Sequence, residues 1–261
     1  MARTTRRDLL RIGVVLGAAA LVMARPWQRL ADPGLAFEEM PRLAPLRRLV
    51  ADGAPGGGSA TQAVFAGLDG GGEVSAAERS ARRRIEEDLC AELRLPWRSE
   101  GALPVTYFTD IRCPSCRVLE GTLASLRRDE SISIDIATRE FPVFGPRSEA
   151  AARAVVAADA QGAADAARAH LRTRPAPMDI EGAAALARAL ELDPARYAAD
   201  WAGSGVATRL AGDRALARLL GLPGTPGLVV GRTVVVGTRS RDTLHRLIEA
   251  ERKEGPPASC G

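Results

Sequence analysis

The sequence predicts an α/β fold in which a block of helices is inserted between two halves of a sheet. Three observations predict it. A β-prone run, Val105 to Phe108, enters a short turn and meets Cys113-Pro114-Ser115-Cys116, after which apolar residues recur at helical spacing. From Ser148 to about Leu220 the chain is alanine-rich and helical in pattern. Two short strand-like runs then follow the Gly- and Pro-rich passage Gly221 to Gly227, and a last helical stretch completes the order.

With 261 residues and 46% hydrophobic content, the chain can bury a sizeable core in one or two domains. Its formal charge of +4 is unevenly spread: Arg3, Arg6, Arg7 and Arg11 against Asp8 place +3 of it within residues 1–24. The remaining chain is nearly neutral, which argues against a nucleic-acid binder. Residues 1–24 read as an export signal rather than part of the fold. Arg6-Arg7 precede an apolar run from Ile12 to Ala24 that is short for a membrane span. The segment resembles a twin-arginine signal, with small residues at Val22-Met23-Ala24 for cleavage; an uncleaved signal anchor is the alternative. Either way the globular part is expected in an oxidising, periplasmic compartment where disulfides persist.

Residues 25–74 are punctuated by Gly56-Gly57-Gly58 and Gly70-Gly71-Gly72, and low order is expected there. Short apolar pieces at 35–37, 46–50 and 63–68 could add edge strands or wrap the domain. Residues 75–96 read as a helix: Ser75 and Glu78 form a capping box, and Ala81, Ile85, Leu89 and Leu93 make a stripe that ends before Pro96. Residues 103–147 hold the first half of the sheet. Val118, Leu119, Leu123 and Leu126 are the apolar positions of the helix after the cysteine pair, and Ile132, Ile134 and Ile136 alternate as a strand. The helical insertion, 148–220, divides into pieces at 148–161, 163–172, 180–192, 195–201 and 206–220, with Ile180, Ala184, Ala187 and Leu190 as one buried face. Residues 221–252 return to the sheet as strands at 228–230 and 233–236, joined tightly at Gly231-Arg232. Ser240 caps a last helix, and 253–261 is a tail.

The chemistry is expected at the Cys-x-x-Cys. Cys113 falls at a helix N-terminus, where unpaired N–H groups and the helix dipole favour a thiolate, the reactive form of the sulfur. Pro114 suits the first helical turn, and Cys116 lies one turn in, close enough to resolve a mixed disulfide. Cys113 is therefore expected to be the exposed nucleophile. Half of a zinc site, an inert staple or two unconnected buried thiols are the other readings. The remaining candidate ligands, Cys90, Cys260, His170 and His245, show no finger-like spacing, so neither metal nor cofactor is expected.

Strand, Cys-x-x-Cys helix, strand, helical block, Thr225-Pro226, hairpin and final helix together resemble the thioredoxin fold with an inserted helical domain. That is the arrangement of the DsbA-like family of periplasmic thiol–disulfide oxidoreductases, and the resemblance covers about Leu103 to Glu251. Tyr107-Phe108-Thr109-Asp110-Ile111 and the Thr before the proline also look like the isomerases DsbC and DsbG. The resemblance implies that Cys113 attacks, that Cys116 is buried and resolves, and that Pro226 is a cis-proline facing them. Thr225 would offer its backbone to an extended substrate segment. Two departures stand out. Tyr107 occupies the position where many relatives carry a buried acid, and Ser115 replaces the histidine of the strongest oxidases, which makes the disulfide less oxidising.

The function expected from this is exchange of disulfides with cysteines of other proteins, by a monomer recharged through a membrane partner of unknown identity. A DsbC/DsbG-like isomerase or reductase, a non-catalytic thioredoxin-fold chaperone module, and copper handling by the two thiols are the alternatives. Two cysteines are left over. Cys90 lies before the thioredoxin-like part and Cys260 after it, and an even count in an oxidising compartment invites a Cys90–Cys260 disulfide. A small buried Cys90 with a free Cys260 thiol is the other reading.

Overall fold

The computed structural model describes residues 34–51, 74–95, 97 and 101–260. The export-signal reading of residues 1–24 and the apolar piece at 63–68 lie outside them. Within the described residues six strands form one sheet: β1 (Ala36–Glu39), β2 (Arg47–Ala51), β3 (Leu103–Thr109), β4 (Ile134–Glu140), β5 (Gly227–Val230) and β6 (Thr233–Val236). Their order is β1-β2-β6-β5-β3-β4. β3 runs parallel to β4 and antiparallel to β5, so the strand that delivers Cys113 is central and buried along its whole length.

Alternation along β3 sends side chains to two separate cores. Val105 and Tyr107 join Leu119, Leu123 and Leu126 of α3 (Pro114–Arg127) and Leu244, Leu247 and Ile248 of α9 (Arg241–Glu254) on one face. Phe108 faces the other way, against α1 (Ala76–Glu87), α2 (Leu89–Glu92) and the C-terminal half of α8 (Ser204–Leu219). The insertion supplies α4 (Pro146–Asp159), α5 (Ala164–Leu171), α6 (Ile180–Ala189), α7 (Pro194–Ala202) and α8. Its core is built largely of alanine around Tyr197, whose hydroxyl donates to the Ala154 carbonyl at 2.8 Å. Alanine lets helices approach closely while costing little side-chain entropy. α8 serves both bodies: Val206 and Leu210 face the insertion, Ala215 and Leu216 the sheet.

Four expectations need correction. Low order does not extend over 34–51; the reading of the apolar pieces at 35–37 and 46–50 as edge strands holds instead, since β1 and β2 extend the sheet there. Leu46 and Leu49 are buried there, and Arg47 reaches Thr233 at 2.9 Å, Glu251 at 2.7 Å and Glu254 at 3.0 Å, anchoring the segment. The 75–96 helix is broken at Asp88, which leaves helical backbone angles and caps α2 by accepting from Ala91 N at 2.9 Å; the stripe Ala81, Ile85, Leu89, Leu93 stays buried across the break. Val118 is 66% exposed, because the buried face of α3 follows Cys116, Leu119, Leu123 and Leu126. Ile180 is 59% exposed at the first position of α6, whose packing face is Ala183, Leu186 and Ala187.

Candidate active site

β3 ends at Thr109, and a turn of three residues carries the chain to Cys113, which caps α3. Its backbone is extended (φ −78°, ψ 115°), so the sulfur swings back over the helix start and accepts from Cys116 N at 3.2 Å. Pro114 occupies the first helical position. On the far side of the sulfur stands the loop before β5. The Thr225–Pro226 bond is cis, and the Cys113 thiol donates to the Thr225 carbonyl at 3.4 Å. Pairing of Phe108 with Gly227 in the β3–β5 ladder holds the two loops in register. The structure thus brings Cys113, Cys116 and Thr225-Pro226 together, with both cysteines as free thiols.

Cys113 is not exposed: it is 1% accessible, closed in by Cys116 beneath and Thr225 beside it. Burial alone raises a thiol's pKa. Here the Cys116 thiol donating to the sulfur outweighs it, helped by the Thr225 hydroxyl and the Cys116 N–H, and Cys113 is pushed down to about 6. Cys116 moves the other way, held far above the ordinary thiol range by donating to Cys113 and by its own burial. The pair is therefore polarised, with the thiolate favoured at Cys113 and the proton retained at Cys116.

Two neighbours have roles that differ from a carboxylic proton carrier. The Tyr107 hydroxyl donates to the Cys116 carbonyl at 3.2 Å, and burial keeps it un-ionised well above the usual phenol range. Asp110 is 2% exposed, and both of its carboxylate oxygens are taken up by donors other than Cys116. It accepts from Arg112 N at 2.8 Å, Val143 N at 2.8 Å, Phe144 N at 3.3 Å and Ser148 Oγ at 2.9 Å. Its own carbonyl accepts from Cys113 N at 3.0 Å. The turn from Asp110 to Cys113 is thereby fastened to the passage after β4 and to the first turn of α4. Sequence reasoning missed Ser148 and the 143–144 N–H groups. Asp two residues before an N–H donor is a legible turn signal, but partners more than thirty positions away carry none.

Cys90 and Cys260 are joined as a disulfide, Cα to Cα 5.6 Å, and pack against the α1/α8 core rather than against Cys113. Among the described residues no group of three His, Cys, Asp or Glu side chains is placed to hold a metal ion.

Comparison with known proteins gives a family and a fold. A family model described as the DSBA-like thioredoxin domain matches residues 104–249. A thioredoxin-like oxidoreductase from Silicibacter pomeroyi DSS-3 is 31% identical, over 59% of this chain and 88% of that one, with a TM-score of 0.52. The oxidoreductase DsbA from Xylella fastidiosa shares the fold at 22% identity, over 60% of this chain and 90% of that one, with a TM-score of 0.50. The catalytic domain of Proteus mirabilis ScsC does so at 20% identity, over 66% and 98% respectively, with a TM-score of 0.50. No curated protein matches the chain.

Proposed function

The chain belongs to the DSBA-like thioredoxin domain family, a family of thiol–disulfide oxidoreductases, and from there we propose that Cys113 and Cys116 are its redox pair. Its substrates are cysteines of other proteins, met in the periplasm after export through a twin-arginine-type signal in residues 1–24. Thr225 and Pro226 line the place where the reacting substrate segment lies. The observation that carries this reading is the placement of the sulfurs: Cys113 caps α3, its Sγ accepts from Cys116 N at 3.2 Å and lies 3.4 Å from the Thr225 carbonyl, an arrangement that favours a thiolate at Cys113 and a retained proton at Cys116.

In the oxidising direction a substrate thiolate attacks Cys113 Sγ of the Cys113–Cys116 disulfide. That bond breaks, and Cys116 leaves as a thiolate that takes up a proton, as its high affinity for one favours. A second substrate thiolate then attacks the substrate sulfur of the mixed disulfide. The substrate disulfide forms, Cys113 departs as its favoured thiolate, and two electrons have passed to the pair. A membrane redox partner removes them. The reverse sequence reduces or reshuffles substrate disulfides, the DsbC/DsbG-like alternative, and the reduction potential of the pair selects between them. With Ser115 in place of histidine no imidazolium stabilises the thiolate, so oxidising power is lower than that of the strongest oxidases.

The test is a trap. In Cys116→Ala the resolving thiol is gone, and the Cys113 thiolate attacking a disulfide of a substrate protein is expected to accumulate as a mixed disulfide, the second substrate sulfur leaving as a thiolate. Trapping that instead requires Cys116 and survives Cys113→Ala reverses the roles. Absence of any adduct with either variant removes the redox reading.

A further inference from the structure

Charge around the sulfur pair is one-sided. The segments that frame it contain four acidic residues, Asp110, Glu120, Glu140 and Glu149, and each is already occupied. Asp110 is buried under its four donors. Glu120 pairs with Arg172 at 2.5 Å, Glu140 is buried against Arg168 at 2.8 Å, and Glu149 pairs with Arg214. Three arginines of the same segments are exposed, and their side chains have no hydrogen bond or ion pair among the described residues: Arg112, Arg117 and Arg147. Arg112 directly precedes Cys113, and Arg117 directly follows Cys116. Arg147 neighbours Ser148, which the Asp110 carboxylate ties to the catalytic turn at 2.9 Å. The positive end of α3 points the same way. Two exposed apolar side chains lie among them, Phe144 at 37% and Val118 at 66% accessibility.

We propose, building on the redox reading above, that this rim selects protein segments whose reacting cysteine is flanked by acidic residues. A guanidinium offers a carboxylate two parallel donors, so free arginines on either side of the sulfurs reward carboxylates placed one or two residues from the substrate cysteine. Each contact is exposed and individually weak. Their summed field acts chiefly on encounter, raising the association rate of an anionic segment and repelling a cationic one. A neutral apolar rim would treat the three charge classes alike.

The experiment uses the full chain, oxidised at Cys113–Cys116, and three cysteine peptides of equal length flanked by Asp, Ser or Lys. Second-order rates of mixed-disulfide formation are measured at low salt and at about 0.15 M, where the screening length is about 8 Å. Rates are expressed per peptide thiolate, because flanking charge alters the peptide's own titration. The Asp-flanked peptide is expected to react about tenfold faster than the Lys-flanked one at low salt, and the gap to shrink with salt. The triple variant Arg112→Ser, Arg117→Ser, Arg147→Ser is expected to lose the preference, and the corresponding triple Lys variant to keep it. Equal rates for the three peptides at low salt, or a preference that survives the Ser variant, overturns this inference and leaves the redox reading standing. No reaction with any peptide overturns both.

Discussion

At the scale of single residues, Cys113 sets burial against hydrogen bonding. A thiol with 1% accessibility is expected to resist ionisation, yet the Cys116 thiol, first, and then the nearby Thr225 hydroxyl and the Cys116 N–H favour its anion and bring it to about 6. The sign follows: the folded value lies below that of an unfolded thiol. The thiolate therefore stabilises the reduced fold above the ordinary thiol range, and that contribution is lost as pH falls through about 6. Alkylation of Cys113 in the reduced protein should rise through the same region. The Thr225 hydroxyl is buried and has no partner in the dithiol geometry, so it is free to turn toward the anion. Thr225→Val keeps the shape and removes that donor. One hydrogen bond to a charged group is worth about 1.5 kcal/mol, so alkylation at pH 6 should slow by up to about tenfold with the midpoint moved upward. A stopped alkylation series across pH measures this, and an unmoved midpoint means the hydroxyl does not reach the sulfur. The family resemblance pointed to residues 225–226 as the facing loop, but it assigned Thr225 only its backbone. The hydroxyl's position depends on a loop closed 112 residues away, which no local pattern encodes.

At the scale of elements, the turn that carries Cys113 is held by a carboxylate rather than by the sheet alone. Asp110 gathers donors from its own turn, from Val143 and Phe144 beyond β4, and from Ser148 of α4. Asp110→Ala leaves these donors without an acceptor in a buried place, and about 2–4 kcal/mol of stability should be lost. Asp110→Asn, which keeps one acceptor oxygen, should lose less. Urea midpoints at unchanged slope distinguish the two, and near-wild-type stability of the Ala variant would show the hub to be dispensable. How legible the fold was follows from the same contrast between local and distant causes. The helices of the insertion, the β5–β6 hairpin and the Cys113 cap are written in spacing, Gly, Pro and Ser, which act over four or five residues. Val118 and Ile180 were misplaced because an apolar residue at a helix edge looks like core until the neighbouring helix fixes which face turns inward. β1 and β2 were hard to read because four or five residues of mixed charge become strands only when the edge of β6 and the Glu251 carboxylate receive them.

At the scale of the whole molecule, the family match stops at residues 104 and 249, and the described residues on either side of it are fastened to each other. β2 pairs in parallel with β6, Arg47 bridges from it to Glu251 and Glu254 of α9, and Cys90 of α2 is joined to Cys260 in the tail across 170 positions. The central sheet separates the Cys90–Cys260 link of this closure from the Cys113–Cys116 pair. Cys113 and Cys116 belong to the core on the α3/α9 face, whereas Cys90 and Cys260 pack on the α1/α8 face. Two consequences can be tested in one variant. Removing the Cys90–Cys260 link frees a long loop in the unfolded chain, for which loop-closure entropy gives about 5 kcal/mol as an upper bound; engineered cases run lower, so a loss of about 2–4 kcal/mol is expected for Cys90→Ser with Cys260→Ser. Because the sheet lies between, the rate of mixed-disulfide formation at Cys113 should stay within about twofold of the parent, since sites with no shared partners act nearly additively. Denaturant unfolding and the peptide exchange rate, measured on the same preparation, check the two halves separately. A stable variant with slowed exchange would mean that the α2–tail closure supports the redox face through the sheet, and a Cys90 peptide recovered with a free thiol from the non-reduced protein would remove the closure itself.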